Sequence, residues 1–237
     1  MVNTILFDLD GTLLSMDTDL FIKQYFGHIA DHLKDYFTQE EVVKLFWQGT
    51  EKVIKSQDAS KTNQEVFMES FFSQVDYKEE QLMPILNDFY DNKFDLLKTL
   101  SKSKQQMIES IEILKNKGYE LVIATNPIFP IAANHSRVEW ANLDPNDFKL
   151  ITAYETSHFA KPNINYYKEV LKDIDKEAHE VLMVGNHMQE DMVSNTIGID
   201  TFLITNHIMG DDSNKENVTH EGDYDKFLAF VEELPQL

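Results

Sequence analysis

Four short stretches hold the residue types and spacings that could do chemistry. The first is Thr-Ile-Leu-Phe-Asp-Leu-Asp-Gly-Thr-Leu-Leu at residues 4–14, an apolar run that ends in Asp8 and Asp10, with Gly11 next. The run reads as a buried strand, and open parallel sheets keep their ligand sites at the carboxyl ends of such strands. Period-two alternation points both aspartates to one side and Leu9 to the other, while Gly11 lets the backbone fold over them. Two like charges so close repel, and a Mg²⁺ ion held between their oxygens would relieve the repulsion. An isolated Asp-x-Asp-Gly can be no more than a turn after a strand; the longer string Phe-Asp-Leu-Asp-Gly-Thr at a strand end favours a functional pair.

The second stretch, Leu-Val-Ile-Ala-Thr-Asn at residues 121–126, is another apolar run that ends in a hydroxyl. Beside the first strand, Thr125 can donate to a phosphate oxygen together with backbone N–H groups of the following turn. The third, Ala-Lys-Pro at residues 160–162, comes just before a helix for which Pro162 and Asn163 are start signals. The fourth, Val-Leu-Met-Val-Gly-Asn-His-Met-Gln-Glu-Asp at residues 181–191, is a strand, a glycine turn and then Glu190 and Asp191. Asn186, right after the glycine, can ligate Mg²⁺ through its carbonyl oxygen but brings no charge. Glu190 and Asp191 also suit a helix N-terminus.

Around these stretches the pattern is that of an α/β chain with a helical insertion. From about residue 17 to about residue 100 apolar residues recur at helical spacing, as in Phe21, Tyr25, Phe26, Ile29, Leu33 and Phe37. Thr38 with Glu41 and Thr62 with Glu65 are capping boxes, and Asp76 with Glu79 repeats the signal ahead of a run that Pro84 should kink or delay. About four helices follow, their aromatic stripes reading as core. His28 and His32, four residues apart, read as a solvated pair. From Ser103, which with Gln106 reads as a helix cap, helices and strands alternate: strands over 120–125, 149–152, 181–184 and 201–204, and helices from Pro130, over 164–174 and over 189–197. The helix from Pro130 carries Arg137, the only arginine. Residues 210–222 read as a polar surface loop and 224–234 as a closing amphipathic helix. This is the grammar of a Rossmann-like parallel sheet covered by helices on both faces.

Lys and Arg number 21 against 41 Asp and Glu, a formal charge of -20. Such a surface repels nucleic acid and anionic membranes, so neither is an expected partner, and a phosphorylated substrate must be captured locally. Without cysteine there is no disulfide, thiolate metal site or cysteine nucleophile. No basic leader or membrane-length apolar run is present, and the expected location is the cytoplasm. Oligomeric state is not legible.

The string Phe-Asp-Leu-Asp-Gly-Thr resembles the first motif of the haloacid dehalogenase-like hydrolase superfamily. Thr125, Lys161 and the 181–191 stretch then resemble its second, third and fourth motifs, in order and at strand ends. The resemblance implies a Rossmann-like core over 1–16 and 101–237 and, over 17–100, the helical C1-type cap of the first subclass. It implies a Mg²⁺-dependent phosphatase acting on a small phosphate monoester. In that scheme Asp8 is the nucleophile and Asp10 the general acid/base, with Thr125, Asn126 and Lys161 holding the phosphoryl group. Asp8, Asp10, Asn186 and Asp191 hold the metal, Asp10 also through its backbone carbonyl. The fourth motif usually has an aspartate where this chain has Asn186, so either the site is weaker or Asp191 carries more of the binding. Asp10 argues against a haloacid dehalogenase, which does not need an acid there. A phosphomutase, or a catalytically weak member that binds or regulates, is the alternative.

Overall fold

The computed structural model describes residues 1–237. In chain order the elements are β1 (Thr4–Phe7), β2 (Ser15–Met16), α1 (Thr18–His32), α2 (Gln39–Lys55), α3 (Asn63–Phe72), α4 (Glu79–Asn92), β3 (Ser101–Lys102), α5 (Gln105–Asn116), β4 (Glu120–Ile123) and α6 (Ile131–Trp140). They continue as β5 (Leu150–Ile151), α7 (Ile164–Ile174), β6 (Val181–Gly185), β7 (Asp200–Ile204), β8 (His220–Gly222) and α8 (Tyr224–Glu233). Six strands form one parallel sheet in the order β5-β4-β1-β6-β7-β8.

β1 sits in the middle because its residues are apolar on both sides. Ile5 and Phe7 enter a core shared with α5 and α8, where Phe7 meets Phe227 edge-on at 5.9 Å between ring centres. Leu6 faces the other way, into a second core built with Tyr166, Tyr167 and Val170 of α7. A strand buried on both faces in this manner is covered by helices on both sides, the Rossmann-like α/β arrangement expected. Because every strand runs the same way, the segments after β1, β4 and β6 leave the sheet at one edge. There Asp8, Thr125 and Asn186 emerge.

The helices α1–α4 and a 3-10 turn over Phe94–Leu100 lie between β2 and β3, a two-stranded antiparallel pair at the base of the insertion. Both capping boxes form: the Thr38 and Thr62 hydroxyls accept from the Glu41 and Glu65 N–H groups, whose carboxylates accept in return from the cap N–H groups. The aromatic stripes are core, with Tyr25, Phe46, Phe89 and Phe94 meeting edge to face. No helix is long and apolar enough to cross a membrane.

Five local expectations differ from the structure. Ser103 does not cap α5; the helix begins after Lys104, and the Ser103 hydroxyl accepts instead from Asn142 Nδ2. At α4 the cap position is Lys78, whose N–H donates to Gln81 Oε1 at 2.9 Å, so the Asp76–Glu79 signal lay two residues early; Pro84 is inside the helix. His32 is not solvated, since its Nε2 is 2.9 Å from the Ile85 carbonyl and 3.5 Å from Asp88. Residues 189–197 are not one α-helix: a turn leads into a 3-10 helix over Met192–Ile197, because the Asp191 carbonyl accepts from the Ser194 N–H and hydroxyl at three-residue spacing. The 210–222 segment is more than a loop, since it holds a 3-10 turn over Asp212–Asn217 and supplies edge strand β8.

Candidate active site

The turn after β1 brings the first two carboxylates into place. Asp8 N–H donates to the Val184 carbonyl at 2.8 Å, which keeps Asp8 in the ladder. The chain then curls, with Leu14 N–H donating to Leu9 O at 2.9 Å and Gly11 N–H to Leu14 O at 2.8 Å. Gly11 has φ +84°, and a Cβ there would collide with the Asn186 amide, so the turn needs glycine for both reasons. Asp8 and Asp10 thereby share the wall of a cavity of about 200 Å³ with Thr125, Asn126, Arg137, Asn186 and Glu190. Phe21 and Ile22 of α1, and Ile128 and Phe129 beyond β4, close its apolar side.

Lys161 reaches this point from the segment before α7. Its ammonium is fully buried, 3.0 Å from Asp8 Oδ1 and 2.6 Å from Asp191 Oδ1. Burial works against the charge, but the Asp191 and Asp8 carboxylates outweigh it and hold the lysine pKa well above its ordinary value. Asp8 is pushed up to about 7 by burial, with Lys161 pulling the other way and Asp191 and Asp10 adding to the rise. Burial likewise raises Asp10, and the Arg137 guanidinium opposes it. Glu190 is raised by burial too, while its carboxylate accepts from Asn126 Nδ2 at 3.1 Å.

Thr125 is buried and held by its backbone: its carbonyl accepts from the Thr152 hydroxyl at 2.8 Å and the Tyr166 hydroxyl at 2.9 Å. Asp191 and Asn186 are at the site but turned to protein partners. Asp191 gives one oxygen to Lys161 and the other to the His187 N–H at 2.9 Å, an approach that Gly185 permits because a Cβ there would strike the carboxylate. The Asn186 carbonyl oxygen accepts from the Thr12 hydroxyl at 3.1 Å, and its amide donates to His207 O at 2.6 Å.

Sequence reasoning missed Arg137 as a site residue. α6 aims it back at the β1 turn, where it pairs with Asp10 Oδ2 and bonds Asn134 Oδ1, with its guanidinium 4.5 Å from the centre of the Phe129 ring. Its being the only arginine, on the helix that follows Thr125, was the available signal.

Do these residues suit Mg²⁺? Asp10 Oδ1 is buried and has no hydrogen-bond partner, which is costly unless something positive meets it. Asp8, Asp10, Glu190 and Asp191 face two cations, Lys161 and Arg137, so four negative charges less two leave a deficit that one divalent ion matches. No three acidic or histidine side chains form a ligating cluster. Mg²⁺ tolerates that, since it binds through one or two carboxylates and keeps waters and substrate oxygens in the remaining positions. The donor set fits, and the Asp8 carboxylate and the Asp10 backbone carbonyl are the groups that would hold the ion.

Residues 5–204 match the family described as haloacid dehalogenase-like hydrolase. The chain belongs to that family. A pyrophosphatase PpaX from Bacillus pumilus is 22% identical over 213 residues, 90% of this chain and 87% of its own. Among solved structures, a phosphatase of this family from Thermococcus onnurineus superposes with a TM-score of 0.61 at 19% identity, covering 100% of both chains. The magnesium-bound hydrolase YfnB from Bacillus subtilis gives 0.57 at 17% identity, over 97% of this chain and 98% of its own. At such identities the structural matches speak for the fold, which this haloacid dehalogenase-like chain shares from end to end.

Proposed function

We propose that this hydrolase is a Mg²⁺-dependent phosphatase that cleaves a small phosphate monoester through an aspartyl-phosphate on Asp8. The observation that carries the reading is the contact of the buried Lys161 ammonium with Asp8 Oδ1 at 3.0 Å, behind a cavity that Asp8 lines together with Asp10, Thr125 and Arg137. Lys161 engages one oxygen of Asp8 and leaves the other for attack on phosphorus. In this reading the Thr125 hydroxyl and the N–H groups after it donate to phosphoryl oxygens, which is supported by Thr125 and Asn126 lining the same cavity as Asp8. Mg²⁺ held by the Asp8 carboxylate and the Asp10 backbone carbonyl would neutralise charge on the transferring group and leave the Asp10 carboxyl free for proton transfer. Asn186 and Asp191, also expected as ligands, would support the site from behind, Asp191 by fixing Lys161.

The Asp8 oxygen forms the new P–O bond as the ester P–O bond breaks, and the departing oxygen takes a proton from Asp10. Burial favours that protonated state of Asp10. Water then attacks the aspartyl-phosphate, Asp10 takes its proton, and inorganic phosphate leaves with Asp8 restored. In this reading residues 1–16 and 101–237 are the catalytic core, and residues 17–100 are a cap that shields the cavity through Phe21 and Ile22. The cavity volume suits a compact substrate, and because relatives are named pyrophosphatases, diphosphate belongs in the assay panel.

The test is phosphate release from a panel of esters and diphosphate, with and without Mg²⁺. Release should require Mg²⁺ and vanish in Asp8→Asn, and a wild-type rate in that variant would remove Asp8 as nucleophile. A mutase would isomerise a sugar phosphate with no net phosphate released.

A further inference from the structure

Asn63 is fully buried although its side chain is an amide at the start of a helix. Its Nδ2 donates to two carbonyls, Pro127 O and Phe159 O, each at 3.1 Å. Pro127 lies two residues beyond Thr125, and Phe159 lies two residues before Lys161. One side chain from the helical insertion therefore bridges the two segments that carry the phosphoryl-binding hydroxyl and the ammonium.

The backbone at the same place adds to the bridge. The first N–H groups of a helix have no partner within it. Here Asn63 N–H donates to Ser157 O and Gln64 N–H to Tyr154 O, both at 2.8 Å, so the start of α3 is docked on the 154–159 segment. Asn63 Oδ1, by contrast, is buried without a partner. A buried amide with half its polar capacity unused is a poor choice for stability alone, which favours a role for the two bonds its other end makes.

We propose that Asn63 is a positioning residue of the phosphoryl site, fixing the spacing of Thr125 and Lys161 by tying their segments to each other and to α3. The proposal rests on the phosphatase reading above. Neither segment belongs to a helix or strand between Ala124 and Phe129 or between Thr152 and Asn163; they meet directly through Tyr154 N–H to Phe129 O at 3.1 Å and Asn126 Nδ2 to Lys161 O at 3.5 Å, and Asn63 is the side chain that joins both to the insertion. A displacement of about 1 Å at a reacting group can cost on the order of a hundredfold in rate.

The test compares Asn63→Ser with Gln57→Ala, which removes a different side-chain bond from this part of the insertion, Asn163 Nδ2 to Gln57 Oε1 at 3.2 Å. With para-nitrophenyl phosphate and Mg²⁺, Asn63→Ser should lower kcat at least about tenfold and change KM less than about threefold, the mark of lost alignment in the transition state. Hydrogen exchange should quicken in both 125–131 and 155–163. Gln57→Ala should leave both readouts at wild-type values. An unchanged kcat in folded Asn63→Ser, or faster exchange confined to 56–72, overturns the proposal. If the wild type releases no phosphate, the phosphatase reading fails, and the exchange result still decides whether Asn63 ties the two segments. Should Asn63→Ser not fold, native-state exchange of the wild type decides: the amides of Asn63, Gln64, Ile131 and Ser157 should open together with one denaturant slope, and independent opening rejects the tie.

Discussion

Asp10 and Arg137 set the character of the cavity at the scale of single residues. The guanidinium is 1% exposed and Asp10 22%, so the pair has little solvent screening. It holds one Asp10 oxygen and leaves Oδ1 buried without a partner, so the pair orients the acid as well as neutralising it. Removing one partner of such a pair leaves a buried charge uncompensated, at a cost of about 3–5 kcal/mol. Arg137→Met should therefore lower stability in urea by about 3 kcal/mol, the lower end, because burial already helps Asp10 take up a proton. Adding Asp10→Asn to that variant should recover part of the loss. Equal and additive losses would mean the two side chains are not coupled. The lone arginine on the helix beyond Thr125 was a signal in the sequence, but its pairing with Asp10 was not legible, because its aim is set only when β4 and α6 are folded against β1.

At the scale of elements, what could be read and what could not follow one physical division. The ends of β1, β4 and β6 were legible because each is an unbroken apolar run that stops at a polar residue, and burial on both faces demands such runs. Edge strand β8, His220–Gly222, has no apolar residue and exposes His220 and Glu221, so its pairing comes from the neighbouring β7 backbone and not from its own sequence. The 3-10 helix over Met192–Ile197 was missed because Asp191 is drawn into Lys161 and the His187 N–H, a tertiary demand that overrides helical periodicity. Thr62 shows the opposite case, a local signal that the fold keeps. Its capping box opens α3 one residue before Asn63. Thr62→Ala should cost about 1 kcal/mol by thermal or urea denaturation. Exchange at the Glu65 amide should rise with it, and an unchanged midpoint would show that the tertiary docking of α3 makes the cap redundant.

At the scale of the whole molecule, a chain of charge -20 lines one cavity with three carboxylates, sets a fourth, Asp191, behind it, and supplies two buried cations to face them. Protons make up the difference when no metal is bound, and Asp8, pushed up to about 7, is the group that shows it. The sign of the pH effect follows. A carboxyl whose folded pKa lies above its unfolded 3.8 binds its proton more tightly when folded. Its contribution to stability is complete below the unfolded value and is lost as pH rises from about 4 to about 7. Mg²⁺ favours the ionised form, so binding must displace that proton, and apparent affinity should strengthen by up to about tenfold per pH unit below 7 and level off above it. Calorimetric titration of the EDTA-stripped protein with Mg²⁺ at pH 6, 7 and 8, in buffers of different ionisation enthalpy, measures both affinity and protons released. In Asp8→Asn the pH dependence should flatten, since nothing remains at that position to deprotonate. Proton release that is absent in the wild type, or that persists unchanged in Asp8→Asn, would place the metal away from Asp8 and leave the charge deficit of the cavity to be met by another ion.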